Sequence, residues 1–80
     1  MPARSEFSKS IPTLLEILQS EEDEWMQLAF IDIFRVMANQ GDLRGRQDVA
    51  DEIRQVVNQM KSYRTKEEAQ QSLDEIEKAL

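Results

Sequence analysis

The sequence predicts an all-α fold, a short N-terminal helix followed by a three-helix antiparallel bundle, with helices over about 11–19, 21–40, 48–62 and 66–80. Three observations carry that reading. Apolar residues recur at intervals of three and four, and no stretch alternates with the period of a strand. The chain has only two glycines, Gly41 and Gly45, both in one segment between apolar runs. Residues that start helices stand at the junctions between runs.

Residues 1–9 are polar apart from Phe7 and read as a flexible arm, so the domain is expected over 10–80. Ser10 can cap the first helix, with Pro12 tolerated in its first turn. Leu14, Leu15, Ile17 and Leu18 form its apolar stripe. Ser20 reads as the cap of the second helix, with Asp23 completing a box-like arrangement. Glu21 to Glu24 then oppose the positive end of the helix dipole. Gly41 is the expected stop.

Gln40 to Gln47 reads as the main turn. Asp48 or Asp42 can cap the third helix, whose stripe is Val49, Ile53, Val56, Val57 and Met60. Thr65-Lys66-Glu67-Glu68 has the form of a capping box. It opens a fourth helix with Ala69, Leu73, Ile76 and Leu80 on one side. Tyr63, in the connection, is expected to pack there. Short turns imply antiparallel neighbours, which places Glu21 to Glu24 opposite Lys61 and Arg64.

Composition narrows the function. The chain has 80 residues, too few for more than one domain. Without cysteine or histidine it has no disulfide and lacks the main ligands of structural zinc. Small scaffolds without such staples rely on helix packing and oligomerisation. Sixteen acidic and ten basic residues give a net charge of −6. That opposes nucleic-acid binding, which needs a basic face, and suits a basic protein partner. No secretory signal and no membrane-spanning run are evident, so a cytoplasmic protein with no membrane role is expected.

The second helix is the informative element. At about 100° per residue, Trp25, Val36, Ala29, Ile33, Met26, Met37, Phe30 and Phe34 fill half its circumference. Leu28 and Ile31 fall on the other half. A helix apolar on more than one side is covered on more than one side. Self-association, most simply as a homodimer, is therefore expected through Leu28 and Ile31, with Trp25 as an anchor and Glu21, Glu22 and Glu24 as an acidic border. Asp32, at the edge of the larger apolar arc, is expected to pair with an arginine.

Catalysis finds little support. There is no histidine to act as general base, and two glycines cannot build a phosphate-cradling loop. No cofactor is expected. Glu21-Glu22-Asp23-Glu24 followed by Asp48-Val49-Ala50-Asp51-Glu52 is loosely similar to the paired carboxylates of all-helical, magnesium-dependent nucleoside triphosphate pyrophosphohydrolases. The resemblance covers those positions alone, and Trp25 stands where the third glutamate belongs. Both clusters start helices, so an antiparallel hairpin holds them about 30 Å apart, whereas magnesium binds oxygens at about 2.1 Å. A helix-turn-helix reading around Arg44 and Arg46 fails on charge, because Asp48, Asp51 and Glu52 would face phosphates. The expectation is a small acidic protein-interaction module, a regulator, adaptor or inhibitor, with a structural subunit of a larger assembly as the alternative and a magnesium-dependent nucleotide pyrophosphohydrolase or a helix-turn-helix-like DNA binder as remote ones.

Overall fold

Four helices follow in order, α1 (Ala3–Ser20), α2 (Glu24–Asn39), α3 (Gln47–Gln59) and α4 (Tyr63–Ala79). The computed structural model describes the backbone of residues 3–80 and the side chains of residues 10–80. Among the described residues there is no strand.

Long-range contacts set the directions of the helices. The Glu24 carboxylate, at the start of α2, accepts hydrogen bonds from the backbone N–H groups of Lys61 and Ser62, just before α4. Further along, Arg35 lies 3.9 Å from Glu75. α2 and α4 therefore run in the same direction. Arg54 pairs with Glu77, and the Gly45 N–H reaches the Leu80 carbonyl at 3.4 Å, so α3 runs antiparallel to α4. The result is an up-down-up bundle. α1 packs against α3 and α2, with Gln19 Nε2 donating to Glu52 at 3.2 Å.

The core follows from the three-and-four spacing. α1 buries Ile11, Leu15 and Leu18, and α2 buries Ile31, Phe34, Met37 and Ala38. α3 contributes Val49, Ala50, Ile53, Val56 and Val57, and α4 contributes Ala69, Leu73 and Ile76. Leu43, in the turn between α2 and α3, is also fully buried and plugs that end of the bundle.

Several boundaries differ from the sequence reading. α1 begins at Ala3 instead of Ile11, so Ser10 lies inside the helix and does not cap it. Pro12 is an interior residue of α1, and it is exposed, so its ring meets solvent rather than the core. Met1, Pro2 and the side chains of residues 3–9, Phe7 included, lie outside the described residues; the backbone of the expected arm is, from Ala3 on, the start of α1.

α1 also runs on through Ser20, whose hydroxyl donates to the Ile17 carbonyl. The cap of α2 is Asp23, which accepts from the Trp25 N–H at 2.9 Å. The Gly41 stop is as expected. Gly41 has φ 86°, its N–H meets the Ala38 carbonyl, and the Asp42 N–H meets the Met37 carbonyl. These two bonds satisfy the last carbonyls of α2 in a Schellman arrangement.

α3 starts at Gln47 without a side-chain cap. Asp48 does not cap it but binds Arg46, with Arg46 Nε to Oδ1 at 3.1 Å and a second guanidinium nitrogen to Oδ2 at 3.0 Å. α3 ends at Gln59 because Met60 turns extended. α4 starts at Tyr63, one turn before the expected capping box, and Thr65 is a buried interior residue.

Candidate interaction surface

α2 carries apolar residues on two opposite sides, and the bundle covers one of them. The inner side holds Ile31, Phe34 and Ala38, flanked by Leu28, Phe30 and Met37. Glu24, Ile31 and Ala38 are seven residues apart, so they share one line along the helix. Because Glu24 is bound to the start of α4, that line faces inward.

The outer side holds Met26, Ala29, Ile33 and Val36, with the C-cap Gln40 four residues after them. The spacing is that of a helix seam, 3-4-3-4. Trp25 flanks it. Trp25 is 55% exposed, Met26 46%, Ile33 44% and Val36 43%. These residues touch solvent while their helix neighbours form the core.

The structure does not leave both expected interface residues open to solvent. Ile31 is completely buried within the chain, and Leu28 is half-buried against the core. Trp25 is exposed. The structure brings Trp25 and Leu28 together in a groove of about 370 Å³ between α2 and α4, lined also by Ala29, Asp32, Glu68 and Ser72. The exposed large apolar residues of α2 are, besides Trp25, Met26, Ile33 and Val36. Their three-and-four spacing is visible in the sequence, but an equally good stripe on the other side competes with it.

The acidic residues take different roles. Glu22 is exposed in the connection between α1 and α2. The Glu21 carboxylate accepts from the Asp23 N–H at 3.1 Å, and its carbonyl accepts from Gln27 Nε2 at 2.7 Å, so it shapes the turn into α2. Glu24 points inward. Its carboxylate accepts from the Lys61 N–H at 2.8 Å, the Ser62 N–H at 3.0 Å and the Thr65 hydroxyl at 2.7 Å. The Lys61 amide, the Thr65 hydroxyl and the Ser62 amide, in that order, hold the Glu24 carboxyl below its ordinary pKa of 4.5. The expected meeting with Lys61 thus occurs through the main chain, with the ammonium a minor influence.

Asp32 has the arginine partner expected of it, Arg35, at 2.6 Å. Hydrogen bonding to Asp32 pushes the Arg35 guanidinium to a higher pKa. Tyr63 does not pack in the connection; it is 80% exposed on the first turn of α4. A hydrogen bond to Glu67 raises its phenol pKa, since ionisation would set two anions together.

Among the described residues no three Asp or Glu side chains gather into a metal-binding group. Of the two acidic clusters compared with a pyrophosphohydrolase, Glu24 is bound at Lys61 and Ser62, beyond the end of α3, while Asp48 pairs with Arg46 at its start. Arg46 and Arg54 are engaged by carboxylates of this chain, Asp48 for the first and Asp51 and Glu77 for the second. No helix among the described residues is long and apolar enough to cross a membrane. No protein-family model, curated protein or solved structure matches the chain.

Proposed function

We propose that this chain is a small acidic protein-interaction module, a cytoplasmic regulator, adaptor or inhibitor without catalysis of its own, that self-associates through the outer side of α2. The observation that carries this reading is the unbroken exposed stripe of Met26, Ala29, Ile33 and Val36 beside Trp25. It amounts to roughly 400 Å² of apolar surface, a size at which exposed patches on small proteins mark interaction sites. Two such stripes pressed together bury about 800 Å² of apolar surface, to which a polar rim adds, a total in the range of weak, transient encounters below about 1,200 Å². The association is therefore reversible and sensitive to concentration. The net charge of −6 leaves the remaining surface suited to a basic protein.

Light scattering across a dilution series tests this reading. The expected result is a mass near twice the chain at high concentration, falling on dilution, and a folded monomer throughout for Ile33→Glu. An unchanged oligomer carrying Ile33→Glu would remove this face from consideration. A native chain that is monomeric at every concentration would remove self-association.

A further inference from the structure

We infer that the second copy seats its α2 antiparallel on the first, with Met26 facing Val36 of the other copy and Ala29 facing Ile33. The inference rests on the self-association proposed above and adds its geometry. Three features of the stripe lead to it.

The first is size. In a parallel, in-register pair each residue of the seam meets itself. Ala29 would then meet Ala29 and leave a gap, while Ile33 met Ile33 and Met26 met Met26. Turning one copy around pairs the smallest residue with a large branched one, and the long Met26 with the short Val36. Facing layers then have similar volumes, as close packing requires.

The second is charge. A parallel pair sets the exposed Glu22 and Asp23 beside the same two carboxylates of the other copy. Like charges at that spacing disfavour association. The antiparallel pair sets each acidic turn against Asn39 and Gln40, which are neutral, and lets the two helix dipoles oppose. Asp32 lies at the edge of the seam near its centre, where Arg35 at 2.6 Å balances it within each copy.

The third is spacing. Within α2 the apolar four stand at intervals of three, four and three residues, the same read in either direction. Reversal therefore maps the stripe onto itself without shifting the apolar residues out of contact. A parallel arrangement gains nothing from that symmetry.

The chain has no cysteine, so introduced thiols report without background. Met26→Cys chains are mixed with Val36→Cys chains and mildly oxidised. Disulfide-linked dimer is expected at least tenfold more abundant in the mixture than with either variant alone. In the antiparallel pair the two copies of position 26 are about 15 Å apart along the helix axis, well beyond the roughly 7 Å that a disulfide spans between Cα atoms. A Met26→Cys chain that crosslinks to itself as well as to Val36→Cys overturns the antiparallel geometry and leaves self-association standing. Absence of dimer in light scattering overturns both. Ala29→Cys mixed with Ile33→Cys repeats the test at the centre of the seam. A dimer that crosslinks in neither mixture overturns the seam.

Discussion

Glu24 of α2 and Thr65 of α4 meet side chain to side chain, the Thr65 hydroxyl donating to Glu24 Oε1 at 2.7 Å. Thr65 is fully buried, and the same carboxylate also takes the N–H groups of Lys61 and Ser62. The start of α4, where Ser62 makes no side-chain cap, is thus held by a residue of another helix. That contact joins α2 and α4 at their first turns, on the side of α2 that is covered.

Removing the hydroxyl isolates this contact. Thr65→Val keeps the buried volume and shape but leaves Glu24 one donor short. The expected loss is about 1 kcal/mol, or roughly 5 °C in thermal midpoint for a domain of this size. Thr65→Ser should retain most of the stability. Equal melting of Thr65→Val and the native chain would show that the bond contributes nothing net.

The Glu24 carboxyl should make stability depend on pH. Its folded pKa lies below the ordinary 4.5, so the folded chain binds this proton more weakly than the unfolded chain does. The contribution is complete above about pH 4.5 and is lost as pH falls through the depressed folded value. Denaturation by urea at a series of pH values should show a fall in stability below that point that is smaller in Glu24→Gln. Parallel curves for the two proteins would contradict this role.

Ile31 and Ile33 are two residues apart and on opposite sides of α2. Ile31 is fully buried and Ile33 is 44% exposed. Ile31→Ala should cost about 2–5 kcal/mol, whereas Ile33→Ala in the monomer should stay within about 0.5 kcal/mol. Chemical denaturation at low concentration, where self-association is absent, separates them. The reverse order of stabilities would mean that the other side of α2 faces the core.

Gly41 has φ 86°, and a Cβ placed there meets nothing within 4 Å. Gly41→Ala should therefore destabilise only through the left-handed backbone, by about 1–2 kcal/mol, with no packing term. Gly41→Asn should recover part of the loss, since asparagine accepts that conformation more readily. Urea midpoints of the three proteins check the order.

Features that depend on near neighbours in sequence were legible before the structure. The helical class, the stripe of α3, the Gly41 stop and the pairing of Asp32 with an arginine all arise within a few residues. Helix starts were less legible. Ser20 and the Thr65–Glu68 box have the composition of caps, yet Asp23 begins α2 and Ser62 precedes α4. Thr65 turns to Glu24 instead, a bond across 41 positions that no local pattern signals.

The sequence by itself determined how many helices form and that α2 is apolar on two sides, because periodicity and turn residues act over one or two turns. Which of those sides becomes core was decided only by the tertiary structure. Two stripes of similar apolarity are nearly equivalent on an isolated helix, and the choice between them depends on where distant groups attach. Here Ile31, Phe34 and Ala38 join the core, Glu24 binds the start of α4 on the same side, and Met26, Ile33 and Val36 face solvent.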